Sequence, residues 1–189
     1  SKRKDYILNG EPVPFTTQLL FGFCDQFVLK NIKKLLGLNN CKYALSGAAP
    51  ISPELIDWYL SIGLDMREGW GMTETAGIGT AFYSREIKKG CVGRAIDGSE
   101  VQIAKDGEIL FRGPGVFCGY LNKPEQTNET IIDGWLHTGD VGHLDNSGNL
   151  KITDRKKDII ITAGGKNISP SEIENELKFS AFISDAVVI

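Results

Sequence analysis

The fold of this chain is decided by residues 64–74, which have the sequence LDMREGWGMTE. The first residues alternate between apolar and polar side chains, which is the pattern of a half-buried strand. Gly69 and Gly71 then flank Trp70 and end the alternation. This predicts a strand that runs into a glycine-rich loop, and in α/β proteins ligands bind where such strands end.

The segments upstream complete a strand–helix–strand unit. The short apolar stretch at residues 43–45 predicts a buried strand. Ser52 can cap a helix that has Pro53 at its first position and ends at Gly63. Apolar residues at helical spacing predict a further helix over residues 15–36. Strand, helix and strand in this order are typical of a parallel sheet.

Downstream of Gly69 the sequence becomes rich in glycine and in short strands. Of the 22 glycines in the chain, 15 lie between Gly69 and Gly148. Val101 and Ile103 alternate with polar residues, and the hairpin signal at residues 106–107 leads into a returning strand. Further predicted elements are a helix after Pro124, turns at 133–134 and 146–148, strands at 150–153 and 158–162, a turn at 164–165 and a helix opening with the capping box Ser169-Pro170-Ser171-Glu172.

The composition is that of an ordinary globular chain of 189 residues. Lys and Arg number 21 and Asp and Glu 24, so the formal net charge is −3, which argues against nucleic-acid partners. The four cysteines form no CxxC pair, which excludes a zinc ribbon and favours free thiols in a reducing compartment.

The location of the protein follows from what the sequence lacks. No stretch is long enough to be a transmembrane segment, and no signal peptide is evident. We therefore expect a cytoplasmic protein, with peripheral membrane association and oligomeric state left open. The chain starts without methionine and ends in what looks like an interrupted strand, so we expect a piece of a longer protein.

Most familiar catalytic templates are absent from the sequence. It contains no phosphate-binding P-loop, no GxGxxG after a strand and no GxSxG elbow. His137 and His143 lie six residues apart near Asp140 and Asp145. No metal-ligand spacing supports a metal site there, so ordinary loop histidines are the favoured interpretation.

Two segments at predicted strand ends combine small and polar residues. Residues 46–50 (SGAAP) let the backbone approach a ligand, unless they form only a tight turn. In residues 68–74 the Thr73 hydroxyl and the Glu74 carboxylate suit a phosphate and its Mg²⁺. The alternative there is a plain turn with a core tryptophan.

Two further segments carry charged residues. Residues 134–140 end in Asp140, whose carboxylate can accept hydrogen bonds from two ribose hydroxyls or form an Asx turn. Residues 154–158 (DRKKD), followed by residues 164–167, are a charge run, and such runs are mostly solvated connectors. Each of the four segments is weak evidence alone, but their presence together and in this order is specific.

Together these segments resemble the adenylate-forming superfamily, and most closely its long-chain fatty-acid–CoA ligases (long-chain acyl-CoA synthetases). Residues 107–125 (GEILFRGPGVFCGYLNKPE) are similar to that family's linker into a β-rich subdomain, and residues 154–160 with 170–174 to its hinge motif. The resemblance covers about residues 43–189. It implies an α/β fold made of the end of a parallel-sheet α/β subdomain (1–88), a β-rich subdomain (89–153), and the hinge with the start of a small α+β C-terminal domain (154–189).

Such ligases activate a fatty acid with ATP and Mg²⁺ to an acyl-adenylate, and the thiol of CoA then displaces AMP. Matching motif positions imply that Gly47 and Ala48 lie beside the adenine and the acyl tunnel, and that Trp70 stacks on adenine where the family usually has a tyrosine. Glu68, Gly69 and Gly71 are expected to belong to the same nucleotide-binding site. Matching positions also assign the phosphate to Thr73, Mg²⁺ to Glu74 and the ribose hydroxyls to Asp140 and Arg155. Lys157 takes the pivot position, and Gly164, Gly165 and Lys166 are expected to line the pantetheine channel.

Two features of the family lie outside the matching positions: its Ser/Thr/Gly-rich phosphate loop and its catalytic lysine. The resemblance therefore implies that these 189 residues alone do not catalyse adenylation. Two alternatives stay open. One is a sister ligase acting on a medium-chain, aryl or short acid, with or without CoA. The other is a non-catalytic nucleotide-binding module.

Overall fold

The computed structural model describes residues 2–83, 87–161, 167–178, 180 and 182–189. Helices and strands alternate in the first half and antiparallel strands dominate the second, so the predicted α/β class is confirmed. The chain forms two compact units. The first unit comprises Ser1–Gly69 and Ala81–Gly93, and the second comprises Trp70–Thr80 and Arg94–Ile189.

The first unit contains the predicted strand–helix–strand motif. Its two strands pair in parallel, with Tyr43 opposite Asp65 and Ser46 opposite Glu68, and the connecting helix begins with Pro53 as predicted. The elements are α1 (Lys2–Leu8), α2 (Phe15–Cys24), a π-helical segment (Asp25–Leu29), α3 (Lys30–Leu35), β1 (Tyr43–Ser46), α4 (Pro53–Ser61) and β2 (Asp65–Trp70).

The core of this unit lies where α4 and β2 meet. Ile56 and Leu60 on α4 are buried, as are Leu64 and Met66 at β2. Each fully buried aliphatic side chain contributes about 1.5–3 kcal/mol through the hydrophobic effect. This packing holds α4 against the strand residues of β2 within the first unit.

Two predictions for the first unit need correction. Strand β1 is predicted to be buried, but Tyr43 and Leu45 are 72% and 57% exposed, and β1 is the edge strand of its sheet. Helix α1 was not predicted at all, since its seven residues are too few to show a clear apolar period.

The second unit is built on a five-stranded antiparallel sheet. Strand β8 lies at its centre and pairs with β6 on one side and with β7 and β9 along different stretches of its length. The elements are β3 (Thr80–Ala81), which crosses from one unit to the other, β4 (Arg94–Ala95), β5 (Glu100–Ile103), β6 (Glu108–Arg112), α5 (Pro124–Thr130), β7 (Ile131–Ile132), β8 (Trp135–Leu144), β9 (Leu150–Arg155), β10 (Ile160–Ile161), β11 (Asn167–Ile168) and α6 (Pro170–Lys178).

The hairpins of this sheet match their sequence signals. The turn at residues 106–107 joins β5 to β6, and Asp133 and Gly134 both adopt positive φ between β7 and β8, as a tight two-residue hairpin requires. Ile109, Phe111, Leu136 and Leu150 are fully buried and form the core face of the sheet.

The C-terminal elements are short. Strands β10 and β11 pair antiparallel, and Ser169 opens α6 with its hydroxyl accepting the Glu172 N–H at 3.1 Å, as the capping box predicts. The turn expected at Gly164 and Gly165, together with Lys166, lies outside the described residues. Within the described part of the chain, no helix has the length and apolarity needed to cross a membrane.

Candidate functional site

The most irregular point of the sheet lies in β8, at residues 138–140. Glu108 of β6 pairs with Val141 while Leu110 pairs with His137, so β8 contains two more residues than its partner over this stretch. Gly139 has φ +71°, which only glycine adopts without strain. A bulge of this kind can redirect side chains, but here Asp140 stays on the buried side of β8, in step with Leu136 and Thr138.

Hydrogen bonds hold every residue of this bulge. The Thr138 hydroxyl donates to the carbonyl of Ile109 at 2.7 Å and accepts the N–H of Asp140 at 3.1 Å. The N–H of Gly139 donates to Glu108 Oε1 at 3.0 Å, and its carbonyl accepts the N–H of Lys156 at 2.8 Å. The bulge is therefore a fixed feature of the sheet.

Asp140 is a buried carboxylate held by two donors. It is 6% exposed, and its Oδ2 accepts the indole N–H of Trp70 at 2.7 Å while its Oδ1 pairs with Arg155 Nε at 2.9 Å. Burial raises the pKa of Asp140, against the lowering effect of the Trp70 hydrogen bond and the Arg155 charge. An ionised carboxylate has about four acceptor positions, so two positions remain for a ligand.

Arg155 faces Asp140 across the sheet, because β8 and β9 pair these two residues directly. Its side chain is half exposed, so guanidinium N–H groups remain available beside the carboxylate. Lys157, two residues further on, is exposed. The structure thus brings together three of the predicted site residues, Trp70, Asp140 and Arg155, across 85 residues of sequence.

Close packing fixes Trp70 at the start of this arrangement. A Cβ added at Gly79 would lie 2.7 Å from the indole ring, and the ring of Phe111 packs edge-on with centroids 6.0 Å apart. Gly71 is needed as well, since a Cβ there would lie 2.4 Å from the carbonyl oxygen of Gly77. The glycines of this loop are required by contact between backbone and ring.

The loop after Trp70 contains the short helical turn Thr73–Thr75. Thr73 is exposed, and the buried Thr75 closes the turn by accepting the Met72 N–H at 2.9 Å. The half-buried Glu74 accepts the Tyr120 hydroxyl at Oε1, at 2.8 Å, and its carbonyl accepts the Phe117 N–H. Burial and the neighbouring Glu74 carboxylate raise the pKa of Tyr120.

In the first unit, two predicted segments meet at the ends of β1 and β2. A Cβ added at Gly47 would lie 3.2 Å from the carbonyl oxygen of Gly69, so small residues are needed there. Ala48 has φ +67°, a conformation that costs a non-glycine residue about 1 kcal/mol or more. Glu68 is buried and accepts the Gly90 N–H at 3.1 Å, and burial raises its pKa.

Three polar residues of this region were missed by the sequence reasoning as individual positions. They are Glu108 beneath the bulge, Tyr120 on Glu74, and Asp154, which accepts both serine hydroxyls at the start of α6. Glu108 and Tyr120 belong to the quoted stretch 107–125, and Asp154 opens the charge run. Their partners are distant in sequence. For Glu108 and Asp154 the available signal is an acidic residue at an inward strand position, and for Tyr120 no local pattern indicates the contact.

Both histidines lie in strand β8 and not in a loop, which corrects their predicted placement. His137 contacts Glu108 through Nδ1 at 3.2 Å. Among the residues that the structure describes, no three His, Cys, Asp or Glu side chains are grouped to hold a metal ion. The four cysteines, Cys24, Cys41, Cys91 and Cys118, are free thiols.

An α/β unit followed by an antiparallel sheet with these loops is the architecture of the adenylate-forming enzymes. The chain belongs to the AMP-binding enzyme family, whose model matches residues 14–121.

Among curated relatives, the fatty-acid–CoA ligase fadD11 of Mycobacterium tuberculosis is 43% identical over 93% of this chain and 31% of its own length. The long-chain-fatty-acid–CoA ligase ACSBG2 of Gallus gallus is 39% identical over 89% of this chain and 23% of its own. The unliganded O-succinylbenzoate coenzyme A synthetase of Bacillus subtilis has a TM-score of 0.72 at 33% identity, over 77% of this chain and 34% of that one. The chain thus spans between 23% and 34% of the length of these proteins.

Proposed function

We propose that Asp140, Arg155 and Trp70 form the nucleoside-binding part of an adenylate-forming site. The observation that carries this proposal is the buried Asp140 carboxylate, which is held on one side by Trp70 and on the other by Arg155. Its two remaining acceptor positions match the two adjacent hydroxyls of a ribose. The family resemblance assigns the stacking on adenine to Trp70, and it adds Gly47, Ala48, Glu68, Gly69 and Gly71 to the proposed nucleotide-binding residues.

The turn at Thr73 and Glu74 is proposed to bind the phosphate and Mg²⁺. Thr73 is exposed and has a hydroxyl to donate to a phosphate oxygen. Glu74 offers hard carboxylate oxygens, the ligand type that Mg²⁺ prefers, and Tyr120 holds one of them in place. When bound there, Mg²⁺ neutralises phosphate charge.

In the full-length protein, the proposed reaction has two steps. A fatty-acid carboxylate oxygen attacks the α-phosphorus of ATP, the bond to the β-phosphate oxygen breaks, and pyrophosphate leaves. The thiol of CoA, as its thiolate, then attacks the acyl carbonyl and AMP leaves. Lys157 is proposed as the pivot between the steps. Gly164, Gly165 and Lys166 are proposed to line the CoA channel. The proposal keeps the division of the chain into residues 1–88, 89–153 and 154–189.

The names of both relatives support a fatty acid as the substrate, and the name of the Gallus gallus relative supports a long-chain one. A second candidate, an aryl-acid–CoA ligase, is favoured by the structural match to the O-succinylbenzoate enzyme. Both candidates share the same ATP and CoA chemistry. They differ in the pocket that binds the acid.

The test is pyrophosphate release by the full-length protein with ATP and Mg²⁺. Acetate, octanoate, benzoate and oleate are compared, each with and without CoA, and D140A serves as the site control. Oleate-dependent release that requires CoA for turnover supports the proposal, whereas preference for benzoate supports the second candidate. No release with any acid, together with retained AMP binding, would indicate a nucleotide-binding module. The isolated 189 residues are expected to give no release.

A further inference from the structure

The carboxylate of Glu108 lies directly beneath the bulge that carries Asp140. Glu108 is only 5% exposed, yet it is the first residue of β6 after a surface hairpin turn. Its Oε1 accepts the N–H of Gly139, the residue before Asp140, at 3.0 Å. A buried carboxylate that accepts a bulged N–H replaces the strand acceptor that the bulge has displaced.

The other oxygen of Glu108 connects to the strand that carries Arg155. Its Oε2 pairs with Lys156 Nζ at 2.9 Å, and the backbone N–H of Lys156 donates to the Gly139 carbonyl at 2.8 Å. The N–H and the carbonyl of Gly139 are therefore both held, the N–H by Glu108 and the carbonyl by Lys156. Residues 139 and 156 are the immediate neighbours of Asp140 and Arg155.

The charges around Glu108 support an ionised carboxylate. The titratable groups that face it are Lys156 and His137, while Asp106 shares Lys156 through a second ion pair at 2.8 Å. Burial would raise the pKa of Glu108, but the hydrogen bonds from Lys156, Gly139 and His137 outweigh it and hold the pKa below its ordinary value.

We propose that Glu108, acting through Lys156 and the Gly139 peptide, is a positioning residue for ribose recognition. It contacts no ligand itself, but it sets the distance and orientation between the Asp140 carboxylate and the Arg155 guanidinium. This inference rests on the proposed nucleoside role of Asp140. It adds a residue whose loss lowers the preference for nucleotides that carry both ribose hydroxyls.

The test compares the binding of AMP and of 2′,3′-dideoxy-AMP to the full-length protein by calorimetry. The quantity compared is the dissociation constant of 2′,3′-dideoxy-AMP divided by that of AMP. This ratio reports only the hydroxyl contacts, because adenine and phosphate are common to both ligands. E108A and E108Q are the main variants. K156M removes the Glu108–Lys156 ion pair by changing the exposed partner, so that no buried side chain is deleted. E100Q is the matched control, since Glu100 is also an ion-paired glutamate of this sheet but contacts Arg112 at the surface.

We expect E108A to lower the ratio by about tenfold, the value of one charge-assisted contact. E108Q and K156M are expected to lower it by about threefold, and E100Q to leave it unchanged. Equal weakening of both nucleotides in E108A and K156M, or an unchanged ratio in both, would overturn the positioning role. A wild-type protein that binds both nucleotides equally would instead overturn the proposed ribose function of Asp140, and with it this inference.

Discussion

Asp140 and Asp154 are two buried aspartates on neighbouring strands, and their hydrogen bonding differs completely. They are 6% and 4% exposed. Asp154 accepts four hydrogen bonds, from the hydroxyls of Ser169 and Ser171 and from the N–H groups of Ser171 and Arg155. Among the described residues, Asp140 accepts only the two from Trp70 and Arg155.

The pKa values follow this difference. Burial would raise the pKa of Asp154, but its serine and backbone donors hold it below the ordinary value. At Asp140 burial prevails and raises the pKa. The comparison teaches that burial alone does not mark a site. A carboxylate with all its acceptor positions filled supports the fold, and one with positions left over is available to a ligand.

The largest effect is expected from replacing Asp154, the aspartate whose acceptor positions are filled. D154A removes four hydrogen bonds at the start of α6 and leaves their donors without a charged acceptor, at a cost of about 3 kcal/mol in local stability. Hydrogen exchange in the full-length protein measures this as faster exchange of the backbone N–H groups of residues 171–178. D158N, at an exposed position of the same charge run, is the control. Unchanged exchange in D154A would contradict the structural role of Asp154.

The next largest effect is expected from replacing Asp140, the aspartate with acceptor positions left over. D140N keeps the shape of the side chain but loses its charge, and AMP affinity is expected to fall about tenfold because hydrogen bonds to charged groups are the stronger ones. The melting temperature is expected to change little, since only two contacts are altered. D133N in the β7–β8 turn is the control, because asparagine tolerates the positive φ there. A large loss of stability without loss of AMP affinity would reverse the assignment.

Acid pH is expected to separate the two carboxylates further. Because the folded pKa of Asp140 is raised, it protonates at a higher pH than an ordinary aspartate, and AMP affinity should fall as the pH falls through that value. The stability contributed by Asp154 has the opposite origin. Its folded pKa is lowered, so its contribution is present above the unfolded pKa and is lost as the pH falls through the lower folded pKa. Titrations of AMP affinity and of α6 exchange should therefore have separate midpoints, with the affinity midpoint at the higher pH.

The smallest effect is expected from Tyr120. Y120F removes the hydroxyl that fixes one oxygen of Glu74, so the Mg²⁺ concentration for half-maximal ATP binding is expected to rise about threefold. AMP binding without metal is expected to stay unchanged. Y83F, at an exposed tyrosine, provides the control. Equal changes with and without Mg²⁺ would assign Tyr120 to packing alone.

Sequence reasoning predicted most of the local structure because its signals are local. The Asp106-Gly107 hairpin, the helix after Pro124 and the capping box at Ser169 each depend on residues within one turn of the chain. The exposure of β1 could not be predicted, because it depends on which elements cover that strand. The apolar side chains of Tyr43 and Leu45 predict a buried strand whether or not another element covers it.

The candidate site shows the same limit. Trp70, Asp140 and Arg155 were predicted from motifs, but their meeting through one carboxylate depends on contacts that span up to 85 residues. The bulge and its Glu108 support could not be predicted, since no local pattern shows that β8 holds two more residues than β6. In the sequence, the glycine at position 139 is the residue that indicates the bulge.

Arg155 joins the two aspartates of the comparison. Its backbone N–H bonds Asp154 and its side chain bonds Asp140, so a shift of this one residue strains both contacts together. In thermodynamic terms, the occupancy of Asp140 and the docking of α6 are linked variables. A ligand that favours one position of Arg155 changes the equilibrium of α6 by the same factor by which α6 changes the affinity of the ligand.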